Sequence, residues 1–237
     1  MKIFGVKIDK ISRKNLPEIF AKILDEKNFR VVSTVNPEFL VAARKNKKFK
    51  NALQKSFLNL CDGAGISILA RVFGEKIPRI SGVDTAEILC EICEKKNKKV
   101  FLIGGFGVAK KSAKFLQKKF PKLRVAAIDG DPQKLAPEIL DFAPDAILVA
   151  FGAPQQNFWL EKFGPKIPNL RVGIGVGGTF DFWAKKIPRA PKILQKFGLE
   201  WLFRLAVQPR RALRIFRAVV IFPLLFFFEK IFGKIEK

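Results

Sequence analysis

The sequence has no histidine and no tyrosine among its 237 residues. Without histidine there can be no hydrolase that pairs histidine with a serine or cysteine nucleophile, and no metal site built on imidazole. Without tyrosine there is no phenolic acid or base. Any general base in this protein must therefore be an aspartate, glutamate, lysine or cysteine.

Cysteine is also scarce, with only Cys61, Cys90 and Cys93 in the chain. An odd number argues against a disulfide framework, and no second pair is present to complete a zinc site. Cys90 and Cys93 fall in residues 85–95, which have the pattern of a helix, so we interpret both as buried helix residues rather than a redox pair. This usage indicates a reducing compartment. The N-terminus lacks the apolar segment of a signal peptide, so we expect a cytoplasmic location.

Positive charge, by contrast, is present in large excess. Lys and Arg outnumber Asp and Glu by 45 to 21, which gives a net charge of +24. Such an excess suits nucleic acid, an anionic membrane surface or a phosphate-rich substrate. The sequence lacks the interleaved aromatic and basic residues of a nucleic-acid-binding module, so we do not expect a nucleic-acid partner. A lysine-rich solvated surface is the alternative explanation, and it accounts for five lysines on one predicted helix, Lys110, Lys111, Lys114, Lys118 and Lys119.

Short apolar runs alternate with helical stretches over most of the chain. A short strand is predicted at residues 3–8, and the other predicted strands are residues 31–35, 57–61, 99–103, 124–128, 146–151 and 171–176. Apolar runs of this length, separated by helices, are typical of a parallel sheet covered on both faces. The sequence therefore predicts an α/β, Rossmann-like catalytic domain over residues 1–195, with a largely parallel sheet and helices on both faces.

Residues 196–237 form a predicted C-terminal helical appendage. Two helices are predicted at residues 198–207 and 210–220, and eleven apolar residues without a charge follow at residues 218–228. About 20 such residues are needed to cross a bilayer. A basic amphipathic helix with a short apolar segment is typical of a monotopic anchor, so we expect attachment to an anionic membrane surface. Packing of the appendage on the α/β body is the alternative.

The basic residues of the appendage fall into two groups. Arg204, Arg211 and Arg214 lie within about one quadrant if the two helices run nearly in line, counting 100° per residue. Three lysines extend the positive charge to the end of the chain, namely Lys230, Lys234 and Lys237.

Small or polar residues follow five of the predicted strands. Thr34 and Asn36 follow one strand and Asp62 follows another, and the remaining loops are residues 104–107, 152–156 and 175–181. Ligands of an open parallel sheet bind at the carboxyl ends of its strands, so these loops predict a nucleotide-type pocket. Asp62 would alternatively serve as the N-cap of the helix that follows it.

The loop at residues 104–107 leaves a second function open. Read as a dinucleotide-binding motif, it has Gly105 and Gly107 in place, but Lys110 stands where the last glycine belongs. Asp129, at the end of the next strand, lies where a ribose-binding acid is expected. A nicotinamide- or flavin-dependent Rossmann oxidoreductase is therefore the alternative function.

Six blocks of residues occur along the chain in a recognisable order. The first five are Thr34-Val35-Asn36-Pro37-Glu38, Cys61-Asp62-Gly63-Ala64-Gly65, Pro78-Arg79-Ile80-Ser81-Gly82-Val83-Asp84, Phe101-Leu102-Ile103-Gly104-Gly105 and Gly152-Ala153-Pro154-Gln155-Gln156. The sixth is discontinuous and consists of Gly175-Val176-Gly177-Gly178-Thr179-Phe180-Asp181, Arg189-Ala190-Pro191, Gly198-Leu199-Glu200-Trp201-Leu202-Phe203-Arg204-Leu205 and Gln208-Pro209-Arg210-Arg211. Together they resemble the WecG/TagA/CpsF glycosyltransferases, the N-acetylmannosaminyltransferase group of cell-wall and surface-polysaccharide synthesis. The resemblance covers roughly residues 31–214.

The resemblance implies an inverting transfer from UDP-N-acetylmannosamine, or a close relative, to an N-acetylglucosamine-diphosphate-polyprenol. Asp62 matches the catalytic aspartate of the family and is the expected general base. The expected substrate-binding residues are Thr34 and Asn36 for the sugar, Arg79 and Gln156 for the donor, and Arg204, Arg211 and Arg214 for the UDP diphosphate.

The resemblance also bears on cofactors and location. We identify no metal-ligand cluster in the sequence of the kind that holds a nucleotide diphosphate, so we expect a metal-independent reaction without a cofactor, in which arginine supplies the positive charge. The expected location is peripheral, on the cytoplasmic face of the cell membrane, and a homo-oligomer is left open.

The sequence departs from the family pattern in two places. The family usually has a lysine and a glutamate on either side of the loop glutamine, where this chain has Gln155 and Asn157 around Gln156. It also usually has a glutamate before the final Pro-Arg, where this chain has Gln208. We expect the first departure to bear on sugar specificity more than on the type of reaction.

Overall fold

Six parallel strands form the central sheet in a computed structural model that describes residues 1–104, 107–131 and 133–232. Numbered along the chain and given in sheet order, they are β4 (Leu58–Cys61), β3 (Arg30–Val35), β8 (Val172–Gly175), β7 (Ala146–Ala150), β5 (Lys99–Gly104) and β6 (Arg124–Asp129). Because all neighbours pair in parallel, their carboxyl ends lie along one edge of the sheet. The predicted α/β fold with a parallel sheet is confirmed.

Helices connect the strands and form the C-terminal part of the chain. In order they are α1 (Leu16–Asp25), α2 (Pro37–Lys45), α3 (Lys47–Lys55), α4 (Ala64–Val72), α5 (Gly82–Lys95), α6 (Ala109–Lys119), α7 (Pro137–Phe142), α8 (Gln155–Phe163), α9 (Thr179–Trp183), α10 (Lys192–Lys196), α11 (Glu200–Val207), α12 (Ala212–Phe216) and α13 (Phe222–Phe232). Short 3-10 turns lie at Gly164–Lys166 and Pro209–Arg211, and a π-helical turn lies at Arg217–Ile221.

Both faces of the sheet are covered by helices, as predicted. Along β5, Val100 and Leu102 belong to a core cluster that includes residues of α1, α5 and α6. Phe101 and Ile103 belong to a different cluster, with residues of α7 and α8. Alternate residues of a strand point to opposite faces, so this division places a packed core on each side of the sheet. Cys90 and Cys93 are buried on α5, which confirms that they are helix core residues.

The N-terminus forms a hairpin and not the single strand predicted for residues 3–8. Its two short strands, β1 (Lys2–Ile3) and β2 (Val6–Lys7), pair antiparallel. Phe4 and Gly5, which join them, have positive φ angles of 49° and 79°. Two-residue hairpin turns favour left-handed backbone at both positions, so the chain reverses at Phe4-Gly5 instead of continuing as a strand.

The C-terminal segment departs from the two in-line helices that the sequence predicts. The 3-10 turn at Pro209–Arg211 separates α11 from α12, because proline has no N–H for the helical ladder. The predicted helix at residues 210–220 is itself divided between this turn, α12 and the π-helical turn. The predicted boundary between residues 195 and 196 falls inside α10.

Helix α13 packs on the body of the protein through one face. Phe222 and Phe226 are fully buried in a third core cluster, together with the N-terminal hairpin and residues of α2, α3 and α4. The Phe4 N–H donates to both carboxylate oxygens of Glu229, each at 3.1 Å. The opposite face of α13 exposes large apolar side chains, with Leu224 63% and Phe228 58% accessible. The appendage therefore has the predicted exposed apolar surface and also packs on the α/β body, which was the alternative prediction.

Within residues 1–104, 107–131 and 133–232, no helix is both long enough and apolar enough to span a bilayer. Lys234 and Lys237 of the predicted basic tail, and Gly105 and Phe106 of the predicted glycine loop, lie outside the described residues.

Candidate active site

A cavity of about 650 Å³ opens at the carboxyl ends of β3, β4, β7 and β8. Its floor comes from the loops after these strands, and its roof comes from α11, α12 and the π-helical turn. The cavity collects every residue that the sequence predicts for the site, namely Thr34, Asn36, Asp62, Arg79, Gln156, Arg204, Arg211 and Arg214.

Asp62 lies at the floor of the cavity, directly after β4. One carboxylate oxygen accepts from the Gly82 N–H at the start of α5, at 3.3 Å. Burial raises the pKa of Asp62, although the positive charges of Arg79 and Arg204 and the Gly82 hydrogen bond partly oppose this effect. Helix α4, which follows Asp62, is capped by Gly63 without a side-chain hydrogen bond, so the N-cap alternative for Asp62 is not observed.

Cys61 precedes Asp62 but is unsuited to act as a base. Its side chain is buried, and burial together with the neighbouring Asp62 carboxylate raises the pKa of the thiol to about 12. A thiol with this pKa stays protonated at neutral pH. Asp62 is therefore the better candidate for proton abstraction.

Thr34 and Asp62 approach each other across Gly82. A Cβ atom built on Gly82 would lie 3.3 Å from Thr34 Oγ1 and 3.5 Å from Asp62 Oδ2. The Thr34 hydroxyl donates to the Gly175 carbonyl at 3.2 Å, which ties β3 to the end of β8. Asn36 accepts from the Phe39 N–H at 3.1 Å and so caps α2 while it faces the cavity.

Gln156 supports the loop that follows β8. Its Oε1 accepts from the Gly177 N–H at 3.0 Å. A Cβ atom on Gly175 would come within 2.6 Å of Gln156 Nε2, so only glycine leaves room for this side chain. Gln156 is almost fully buried, and it holds the Gly177-Gly178 turn in place at the cavity wall.

Three arginines of the C-terminal segment enter the cavity from above. Arg204 lies over the Phe182 ring at 4.8 Å, and burial lowers the pKa of its guanidinium while the Asp62 carboxylate opposes that effect. Arg211 reaches the turn after β8, since its Nη2 lies 3.7 Å from a Cβ built on Gly178. Arg214 donates from Nε and Nη2 to Glu38 Oε2, at 3.0 and 2.7 Å. The 3-10 turn, not an in-line helix, brings them together.

Arg79 is held by the C-terminal segment. Its guanidinium forms an ion pair with Glu200 of α11, and its Nη1 donates to the Gln195 carbonyl at 3.0 Å. Arg79 therefore connects the loop before α5 to the roof of the cavity, in addition to lining the wall.

The partners Glu38 and Glu200 are cavity residues that sequence reasoning missed. Each belongs to one of the six blocks, which is the only signal that the sequence offers for them. The pair of Glu38 and Arg214 joins residues 176 positions apart, and no local pattern predicts such a contact.

The first departure from the family pattern lies away from the cavity. Asn157 is buried, and its side-chain nitrogen Nδ2 donates to Ser33 Oγ of β3 at 3.1 Å. Neither Gln155 nor Asn157 is among the described residues that line the cavity, so neither is placed to select a sugar by direct contact.

The oxidoreductase alternative finds no support in the geometry. Asp129 accepts from the Ala109 N–H at the start of α6, at 3.4 Å, and is not among the described residues of the cavity wall. In the part of the chain that the structure describes, no three acidic or cysteine side chains are grouped as ligands for a metal ion.

Comparison with known proteins gives a consistent result. A sequence profile described as "Glycosyl transferase WecG/TagA/CpsF family" matches residues 1–236. The chain is 33% identical over 194 residues to the N-acetylglucosaminyldiphosphoundecaprenol N-acetyl-beta-D-mannosaminyltransferase of Bacillus subtilis (strain 168), covering 79% of this chain and 75% of that relative. It is 26% identical over 223 residues to a protein of the same name from Staphylococcus aureus (strain MRSA252), covering 90% and 87% of the two chains.

Proposed function

Because the chain belongs to the WecG/TagA/CpsF family of glycosyltransferases, we propose that it transfers N-acetylmannosamine, or a closely related sugar, from a UDP donor to an N-acetylglucosamine-diphosphate-polyprenol. The names of the two relatives support this acceptor and this sugar. The observation that carries the proposal is one cavity with a partly buried carboxylate, Asp62, on its floor and three arginines in its roof.

The transfer proceeds with inversion at the anomeric carbon. The acceptor hydroxyl oxygen forms a bond to that carbon while its proton passes to the Asp62 carboxylate. The bond to the UDP oxygen breaks at the same time, and UDP departs with the bonding electrons. The raised pKa of Asp62 supports this role, because a base whose pKa lies closer to the working pH accepts a proton more readily.

Charge develops on the UDP diphosphate as it leaves, and Arg204, Arg211 and Arg214 stabilise it. Guanidinium groups bind phosphate through paired N–H donors, and a water-poor cavity strengthens that interaction. Arg214 is bound to Glu38 before the donor arrives, so binding of the diphosphate exchanges one anionic partner for another. The reaction needs no metal or cofactor in this scheme.

The remaining cavity residues orient the sugar and the donor. Thr34 and Asn36 meet the sugar hydroxyls or acetamido group beside Asp62. Gln156 acts on the donor through the turn that it supports at Gly177. Arg79 contacts the donor from the same wall and fixes the roof through Glu200.

The protein works at the cytoplasmic face of the membrane as a peripheral enzyme. A polyprenol-linked acceptor resides in the bilayer, and the chain presents apolar side chains beside its basic ones. Leu213, which is 73% accessible, and Leu224 lie on the same C-terminal segment that roofs the cavity. Docking of this segment would bring the cavity to the acceptor.

The test is UDP release by the purified protein with a lipid-linked N-acetylglucosamine diphosphate. UDP-N-acetylmannosamine should support release that depends on the acceptor, and UDP-N-acetylglucosamine should not. Adding EDTA should leave the rate unchanged. Release without acceptor would contradict the transferase, and a loss on EDTA treatment that Mg²⁺ or Mn²⁺ restores would contradict a metal-independent mechanism.

A further inference from the structure

Helix α4 exposes apolar side chains on one of its faces. Ile66, Leu69 and Ala70 are buried, whereas Ile68 is 57% and Val72 63% accessible. Residues four apart lie on the same side of a helix, so Ile68 and Val72 form one stripe. The side chains of Ile68 and Val72 therefore do not belong to the hydrophobic core.

The stripe begins inside the active-site cavity. Ile68 lines that cavity, and across from it the C-terminal segment contributes Val219 and Pro223. Ile68 also lines a second, smaller hollow on the outer surface of α4, with Ser67, Arg71 and Val72. The two hollows therefore share Ile68, and an apolar path leads out of the cavity along α4.

The path continues to the C-terminal helix. Phe73, which follows α4, packs its ring against Phe227 at 5.6 Å between centroids. Phe227 neighbours Phe228 and Leu224 on the accessible face of α13. The lipid strip, defined here as Ile68, Val72, Phe73 and Phe227, thus joins the cavity to the exposed apolar face of α13.

We propose that the lipid strip binds the first isoprene units of the acceptor's polyprenyl chain. This proposal rests on the proposed function, because it takes the acceptor to be a lipid diphosphate. With the acceptor's reacting hydroxyl at Asp62 and the UDP diphosphate at Arg204, Arg211 and Arg214, the acceptor's own diphosphate and polyprenyl chain have to extend out of the cavity. Ile68, Val219 and Pro223 are apolar lining residues of the cavity, and Ile68 and Val219 are also exposed to solvent, whereas a cavity that met only a soluble acceptor would gain nothing from exposing them.

The occupant is the acceptor's own chain and not a bilayer lipid. A surface that only docks on a membrane would need no connection to the reaction centre. Here the accessible stripe of α4 and the cavity share a side chain, and Arg71 lies beside the stripe as a cation for the diphosphate end. Exposed apolar surface of this kind loses contact with water when an alkyl chain covers it, which favours binding in proportion to the chain length buried.

The variant that tests the proposal is Val72→Asp, with Val72→Gln as a milder change in case the charge lowers the yield of folded protein. Acceptors with a long and a one-isoprene chain are compared in detergent. The ratio of kcat/KM for the long chain to kcat/KM for the short chain should fall at least about tenfold. Leu140→Asp is the matched control, because Leu140 is an exposed apolar residue of α7 away from the cavity, and its ratio should stay unchanged. An unchanged ratio in both Val72 variants would overturn the proposal.

Two further measurements distinguish an acceptor subsite from a surface that only docks on the membrane, and from failure of the proposed function. Binding of Val72→Asp to phosphatidylglycerol vesicles without acceptor should stay close to that of the parent protein. Equal losses of vesicle binding and of transfer to both acceptors would show a docking face only and overturn the acceptor subsite. A farnesyl diphosphate carrying a diazirine on its chain should label the peptide that contains α4. If the protein transfers no sugar at all, the proposed function fails, and labelling still decides the strip: label confined to other surfaces would overturn it.

Discussion

At the scale of single residues, Asp62 is held where its charge is costly. Burial raises its pKa above the value of about 3.9 that an unfolded chain gives aspartate. A group whose pKa is raised on folding contributes stability that is fully present below its unfolded pKa and is lost as the pH rises through the folded value. At pH 7, well above the unfolded value, the burial of Asp62 therefore leaves the fold less stable than it is in acid.

Asp62→Asn should separate stability from activity. Transfer should fall by about 10²–10⁴, the range for a lost general base. The melting temperature at pH 7 should rise, by about 2–4 °C for each kcal/mol gained. UDP release and thermal unfolding measure the two effects. Near-normal turnover would remove Asp62 from its assigned role.

Asp84 supplies the matched control for that measurement. Burial tends to raise its pKa, but the Ser81 hydroxyl and the Arg189 and Arg13 guanidiniums outweigh burial and hold the pKa below its usual value. The stability that it contributes is present above the unfolded pKa and is lost as the pH falls. Asp84→Asn should therefore lower the melting temperature at pH 7, opposite in sign to Asp62→Asn.

Arg204 should tune the pH dependence of transfer through Asp62. Its positive charge lowers the Asp62 pKa, so Arg204→Gln should raise that pKa further. Because the ionised carboxylate is the active form, the acid limb of kcat/KM should move to higher pH. Arg211→Gln, another cavity arginine, should lower the rate without moving the limb, since Arg211 is not among the charges that shift Asp62. Limbs that coincide in both variants would argue against Asp62 as the titrating base.

At the scale of elements, α13 has two apolar faces, of which one is buried in the body and the other is exposed. Phe226 is fully buried against Phe73 and Phe222, whereas Phe228 is exposed on the same helix. Phe226→Ala should destabilise the protein by about 3–5 kcal/mol, as expected for an aromatic side chain removed from a core. Phe228→Ala should leave urea unfolding nearly unchanged but weaken binding to anionic vesicles.

The two phenylalanines control for each other, because they lie on one helix and differ in orientation. If Phe226→Ala left the unfolding midpoint unchanged, α13 would not be a structural part of the body. If both variants bound vesicles like the parent protein, the exposed face of α13 would have no part in membrane attachment.

Two strands of the sheet and helix α13 show which parts of the fold can be predicted from the sequence and which cannot. The strands at residues 31–35 and 99–103 are short apolar runs between helices, and period and length suffice to predict them. Residues 218–228 are apolar on all sides, so no periodicity indicates which side chains are buried. Phe222 and Phe226 are selected by tertiary contacts with the N-terminal hairpin and with α2, α3 and α4, all of which are distant along the chain.

The site divides in a similar way. Asp62 directly follows one predicted strand and Thr34 lies near the carboxyl end of another, and the topology of a parallel sheet is enough to bring them together. The ion pairs of Arg79 with Glu200 and of Arg214 with Glu38 depend on how the C-terminal segment folds over the sheet. For Arg214, that path depends on the turn at Pro209–Arg211, whose exit direction has no signature in the local sequence. Glu200 lies before this turn, and its contact with Arg79 depends on how α11 packs over the cavity.

At the scale of the whole molecule, charge and apolar surface converge on the C-terminal segment. The segment roofs the cavity with arginines and turns apolar side chains outward on α12 and α13. A chain with a net charge of +24 is attracted to any anionic surface, but charge alone does not orient it. In the proposed membrane attachment the apolar side chains supply the orientation, because they lower the free energy only when this segment faces the bilayer.

This division of roles predicts how membrane binding responds to salt. The Debye length falls from about 10 Å at 0.1 M to about 3 Å at 1 M, and each basic residue near an anionic leaflet contributes about 1 kcal/mol at low salt. The fraction bound to phosphatidylglycerol vesicles should therefore fall steeply with NaCl in co-sedimentation, towards a residual level set by apolar contact. Phosphatidylcholine vesicles are the control and should show only that residual level at every salt concentration. Transfer to a vesicle-borne acceptor should follow the bound fraction, whereas transfer to a detergent-solubilised acceptor should depend far less on salt. Equal binding to both lipids at low salt would show that charge does not drive membrane binding. No binding to either lipid would rule out the peripheral membrane location.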